Sequence, residues 1–163
     1  MARVLLVGGA GCRGRALAAA LLERGHAVRV TTRRDEGVVA VEQAGAEAVR
    51  ADPDRLATLL PHLGGVSALC WLLASAQGDP DDLRALHGPR LETILETLVD
   101  THVRGVVYEA AGTVPATLLD EGAATVERVA RTFRIPVAVV RHPAGDAAGW
   151  VAATATAVDS VLE

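Results

Sequence analysis

The apolar run at residues 4–7 (VLLV) ends in Gly8-Gly9 and gives way to a helical pattern over 16–23, and this step from short strand to helix recurs along the chain. A short apolar run closed by glycine fits a strand covered on both faces, the environment of a parallel sheet. Further strands are expected at 26–31 (HAVRVT), 46–50, 66–73 (VSALCWLL), 105–108 and 137–141. Helical segments fall between them: 36–44 with Gly45 as its cap, 54–63 disturbed by Pro61, 81–102 broken near Gly88-Pro89, 118–133, and an alanine-rich 150–162.

This alternation predicts an α/β fold, a Rossmann-type doubly wound parallel six-stranded sheet in the order 3-2-1-4-5-6 with right-handed crossovers. One domain over 1–163 is expected, long enough to bury a core without metals or disulfides. Half the residues are hydrophobic, yet there is one Phe and one Tyr, so the core must pack from small aliphatic groups.

Few aromatics and a net charge of −4 argue against a nucleic-acid stacking platform, although Arg13, Arg15, Arg33 and Arg34 cluster locally. No apolar stretch reaches the ~18 residues of a membrane span. The N-terminus lacks the pattern of a secretory leader, so a cytoplasmic protein without membrane contact is expected. Cys12 and Cys70 are not in a CxxC arrangement and are expected to be buried, reduced thiols. No spacing of metal ligands is present.

The segment 7–14 (VGGAGCRG) places glycines 9, 11 and 14 in the GxGxxG pattern, with Gly8 in addition. It follows an apolar strand and opens a helix, the context in which this motif holds the pyrophosphate of a dinucleotide. Gly9 is expected to permit the tight turn, Gly11 to let the backbone approach the pyrophosphate, and Gly14 to seat the helix on the strand. Ala10, Cys12 and Arg13 complete the loop, whose amides open toward an anion at a helix N-terminus.

Sites selective for NAD carry a carboxylate at the end of the second strand. Here Thr31-Thr32-Arg33-Arg34 stands in that place, with no carboxylate until Asp35. Two permanently charged guanidinium groups suit a 2′-phosphate, so NADP(H) is expected over NAD(H), with Arg13 approaching the same phosphate from the other side. The alternative is a solvated strand end.

Together these stretches, with "RADP" after the third strand and "RIPVAVVRHP" near the sixth, resemble the short-chain dehydrogenase/reductase superfamily. The likeness is greatest to its extended and atypical branches, the NAD(P)-dependent epimerase/dehydratase-like and NmrA-like proteins. The resemblance implies that Asp52 and Pro53 lie by the adenine, Asp52 also serving as an N-cap. It also implies that Leu73, Ala74 and Ser75 end the fourth strand against the ribose and pyrophosphate.

The same resemblance implies a catalytic Tyr and Lys spaced YxxxK on the helix before the sixth strand. Those positions fall near Leu119 and Ala123, neither of which transfers a proton, and the chain has no lysine. Ala110 and Ala111 stand where a serine pair is expected, and the sole tyrosine, Tyr108, reads as core. Glu109, His102 and His142 are placed near the carboxyl edge of the sheet. Glu109 and Thr113 are the candidates for an unusual catalyst, Glu109 as a base or else as a solvated carboxylate. His62 and His87 read as surface residues. The segment after the sixth strand is shorter than the substrate lobe of extended members.

The expected function is therefore that of an NADP(H)-binding protein, non-catalytic or weakly catalytic, sensing redox state or regulating a partner. The alternative is an NADP-dependent oxidoreductase or epimerase-like enzyme with a non-standard catalytic residue. A homodimer through helices 91–99 and 118–133 is expected, with Ile94, Leu98, Val126 and Val129 as contacts.

Overall fold

The computed structural model describes residues 2–143 and 145–163. Six parallel strands, β1 (Arg3–Val7), β2 (Ala27–Thr32), β3 (Glu47–Arg50), β4 (Ala68–Trp71), β5 (Gly105–Glu109) and β6 (Val137–Val140), form one sheet in the order β3-β2-β1-β4-β5-β6. The expected fold and strand order are both present. The order reverses between β1 and β4, and the crevice above their carboxyl ends is where ligands of such sheets bind.

Among the described residues six α-helices flank the sheet: α1 (Cys12–Glu23), α2 (Asp35–Gln43), α3 (Pro80–Leu86), α4 (Pro89–Thr97), α5 (Ala116–Phe133) and α6 (Ala147–Leu162). One hydrophobic layer packs α1 and α6 on Val4, Leu6, Val30 and Val107, and the other packs α4 and α5 on Leu5, Leu69, Trp71 and Val106. Successive residues of β1 thus feed opposite layers, as the two-residue period of a strand requires.

Several boundaries differ from the sequence reading. The stretch 54–63 forms two short 3₁₀ turns, Leu56–Thr58 and Leu60–His62, because Pro61 has no amide hydrogen to continue a helix. Residues 81–102 divide into α3, α4 and a 3₁₀ turn at Leu98–Asp100, with Pro89 opening α4 at a position where a missing N–H costs nothing. Helix α1 begins at Cys12, inside the glycine segment, four residues before the apolar pattern suggested.

Ile94, Leu98, Val126 and Val129 are not available as dimer contacts. Each is at most 3% exposed, in the chain's own layer between α4, α5 and the sheet. A single apolar stripe on each helix is consumed by the sheet beneath it. The thiols also divide: Cys70 is buried in β4, whereas Cys12, at the first position of α1, is exposed.

Candidate functional site

A cleft of about 460 Å³ opens at the carboxyl edge of the sheet, running from the end of β2 across the glycine loop to the segment after β4. Its glycine-loop wall includes Gly8, Ala10, Gly11 and Arg13; Thr32, Arg33 and Arg34 line the β2 end, and Pro53 and Asp54 the segment after β3. Leu73 and Ser75 close it beside β4. Gly9, Cys12 and Gly14 border a neighbouring hollow on the other side of the loop, capped by Trp150.

The loop geometry corrects one expected role. The left-handed turn belongs to Gly8, at φ +90°, and not to Gly9. A Cβ on Gly8 would also meet the Leu72 carbonyl oxygen at 2.7 Å, and its amide donates to the Thr31 hydroxyl at 3.3 Å. A Cβ on Gly14 would lie 2.1 Å from the Gly9 carbonyl oxygen, so α1 can approach β1 only because that atom is missing. Around Gly11 there is open space.

Helix α1 has Gly11 as its N-cap, with no side-chain cap and no acidic residue in its first turn, so its free amides are available to an outside anion. The absent Cβ atoms and the uncapped N-terminus fit the pyrophosphate of a dinucleotide. At the β2 end, Arg33 is loosely paired, 3.9 Å from Asp54, and Arg34 has no ion-pair partner among the described residues. Asp35 is turned aside by an ion pair with Arg50. At this end of the cleft two guanidinium groups stand beside one carboxylate, Asp54, which is also paired with Arg90.

Between residues 8 and 131 the sequence matches the profile described as NAD(P)H-binding. The chain belongs to the NAD(P)H-binding family. The fold of this NAD(P)H-binding chain is similar to that of UDP-glucose 4-epimerase from Brucella ovis in complex with NAD. That likeness has 16% identity and a TM-score of 0.72, covering 88% of this chain and 52% of the other. A short-chain dehydrogenase/reductase superfamily protein from Agrobacterium tumefaciens with bound NAD is 22% identical, at TM-score 0.68 over 85% of this chain and 48% of that one. Vestitone reductase from alfalfa is 16% identical, at TM-score 0.65 over 86% and 56%. The NAD(P)H-binding chain thus spans about half the length of these structures. No curated protein matches it by sequence.

Other expected residues lie elsewhere. Arg13 does not approach the β2 end: its Nη1 donates to Glu109 Oε2 at 3.0 Å, and its guanidinium lies 4.1 Å from the centre of the Trp150 ring. Glu109 ends β5, two strands to the far side of β1 from Arg33, so the two arginine sites face opposite halves of the crevice. Glu109 is neither solvated nor a free base. It is 1% exposed, and its other oxygen accepts the Ala74 amide at 3.0 Å.

The Ala74 side chain is turned into the core against Val114 and Leu119 and lines no part of the cleft. Asp52 also stands off the cleft: its Oδ1 accepts the Asp54 amide at 2.9 Å, and its own amide donates to the Thr58 hydroxyl at 2.8 Å, so it caps a turn where no helix follows. Leu119 and Ala123 are both buried on the inner face of α5. Thr113 is exposed, its amide donating to the Ser75 hydroxyl at 3.3 Å. His102 precedes β5 and therefore stands at the amino-terminal edge, opposite the cleft. His142 pairs with Asp146 at 2.8 Å beside α6, holding the Asp146 carboxyl below its ordinary range, with the Gly149 amide adding to the effect.

The residues that sequence reasoning missed are Asp54 and Asp82 in the cleft wall, Arg90 paired with both, and His87 behind the wall. Arg90 donates to Asp54 at 2.8 Å and stands 4.0 Å from Asp82, whose carboxyl is raised above the usual range chiefly by the neighbouring charge of Asp79. His87, read as a surface residue, is 2% exposed between Leu73 and Tyr108. The acidic run GDPDD was the one available signal for the wall; His87 had none, since its burial depends on where α3 meets β4.

Proposed function

We propose that this chain binds NADP(H) across the crevice, with the pyrophosphate on the amides of Gly11 to Gly14 and the 2′-phosphate on Thr32, Arg33 and Arg34. The observation that carries the reading is the pair of exposed guanidinium groups at the end of β2, where Asp35 is already engaged by Arg50. The bound dinucleotide supplies hydride chemistry; the residues of this chain bind and orient it.

A non-catalytic or weakly catalytic role, sensing redox state or regulating a partner, is the reading we favour. The apolar side chains at Leu119 and Ala123 and the engagement of Glu109 by two donors support it. Of the two catalytic candidates, Glu109 has each oxygen engaged by a donor, Arg13 on one and the Ala74 amide on the other, and Thr113 is an exposed residue whose amide is bonded to the Ser75 hydroxyl.

Calorimetric titration with NADPH and NADH tests the proposal. NADPH is expected to bind more tightly, and Arg33→Ala with Arg34→Ala to weaken it by about 10- to 100-fold, the worth of one or two charge-assisted hydrogen bonds, while leaving NADH unchanged. Absence of binding by either dinucleotide overturns it.

A further inference from the structure

We propose that Arg13 makes the cleft discriminate the redox state of the nicotinamide, favouring the reduced dinucleotide over the oxidised one, and that Glu109 sets how strongly it does so. The inference rests on the proposed NADP(H) binding. A doubly wound sheet holds the two nucleotide halves of its ligand on the two sides of the switch point. With the adenosine half at β2 and β3, the nicotinamide half is delivered to the side of β4 and β5, where Arg13 and Glu109 meet.

The pair is asymmetric with respect to that side. The Arg13 side chain is 25% exposed and lines the cleft, whereas Glu109 is 1% exposed behind it and does not. A ligand therefore meets the positive end of an oriented dipole. Oxidised and reduced rings differ in charge: the oxidised ring carries one positive charge and the reduced ring none. A cation facing the ring opposes the former and is indifferent to the latter.

Arg13 has little freedom to turn away. One edge of its guanidinium is held by Glu109 and its face by Trp150, while Nη1 makes its one side-chain hydrogen bond among the described residues. Separating the pair would leave a carboxylate buried with only the Ala74 amide to serve it, which is costlier than any contact the cation would gain outside. The cation is thus fixed in the half of the crevice where ring charge is read. Glu109 is a positioning residue here, and it also screens part of Arg13's charge.

The test is the ratio of NADP⁺ to NADPH dissociation constants, read by calorimetry. Wild-type protein is expected to bind NADPH more tightly by roughly 3- to 10-fold, the scale of one partly screened charge at this range. Arg13→Gln is expected to bring the ratio to one or below, since the Glu109 carboxylate left behind favours the positive oxidised ring, and Glu109→Gln to raise it, because it unmasks the cation while keeping the hydrogen-bonding shape. The double change Arg13→Met with Glu109→Gln leaves no buried charge and should give a ratio of about one, which keeps the test readable if Arg13→Gln is unstable. Arg33→Ala with Arg34→Ala should weaken both forms equally. A ratio unchanged between wild type and the Arg13 variants overturns the inference, and so does a ratio lowered by Glu109→Gln. Failure of both forms to bind wild-type protein overturns instead the binding reading beneath it.

Discussion

The Tyr108 hydroxyl lies 2.7 Å from Nδ1 of His87, and Nε2 of the same ring lies 2.9 Å from the Leu73 carbonyl oxygen, all of it buried behind the cleft. A carbonyl oxygen only accepts, so Nε2 carries the proton and Nδ1 accepts from the tyrosine. Burial holds His87 neutral by lowering its pKa and, together with the nearby Glu109 charge, pushes the Tyr108 phenol above its ordinary range. The chain ties α3, β4 and β5 together at one point beside the dinucleotide cleft.

Removing the donor tests this chain. Tyr108→Phe leaves Nδ1 of His87 buried without a partner and is expected to cost about 1–3 kcal/mol, measured as a shift in urea midpoint at unchanged slope. A change below about 0.5 kcal/mol would show that the hydroxyl is not needed.

The same histidine sets a pH dependence. Its folded pKa is below its unfolded value of 6.5, so the unfolded chain takes up the proton first as pH falls. Its contribution is therefore fully present above pH 6.5 and is lost as pH drops through and below that value. His87→Gln should flatten this part of the stability profile between about pH 7 and 5 relative to wild type; an identical slope in both would contradict the assignment.

Two glycines of the same loop should respond differently. Gly14→Ala drives a methyl to 2.1 Å from a backbone oxygen, which cannot retreat without moving β1 or α1, so thermal stability and dinucleotide binding should fall together. Gly11→Ala meets open space and should leave the melting temperature within a degree or two. It should still reduce dinucleotide affinity, because the added methyl stands where the pyrophosphate approaches.

Glu109→Ala should be among the most destabilising single changes in the chain. It strands the Arg13 guanidinium and leaves the Ala74 amide without its acceptor, and loss of one partner of a buried pair costs about 3–5 kcal/mol. Chemical denaturation gives the value. Glu109→Gln, which keeps the hydrogen-bonding shape, should lose distinctly less, and equal losses would mean that the carboxylate's charge carries the whole effect.

The two thiols should titrate in separate steps. Burial alone pushes the Cys70 thiol up to about 12, so it is shielded from a disulfide reagent until the protein unfolds. Cys12, exposed at the start of α1, should react in the native protein and be protected by bound NADPH. One fast and one denaturation-dependent thiol is the expected count; two fast thiols would place Cys70 elsewhere.

Determined by sequence alone were those features that local patterning carries. Short apolar runs alternating with helical stripes imply a parallel sheet. A glycine segment between the first strand and helix marks the end of the sheet that takes a dinucleotide, and Arg33-Arg34 mark the end of β2. These properties belong to segments of fewer than about 20 residues and survive without knowledge of the packing. Tertiary structure alone decided where the charges went. Glu109 and Arg13 are 96 residues apart and meet because β4 and β5 follow β1 across the switch point, which turns a candidate base into a buried counter-ion. His87 changed from surface to core for the same reason, once α3 ended against β4. The apolar stripes of α4 and α5 could have faced a second chain, but the sheet took them first. A stripe's period reveals that it will be buried, and only the packed fold determines against what.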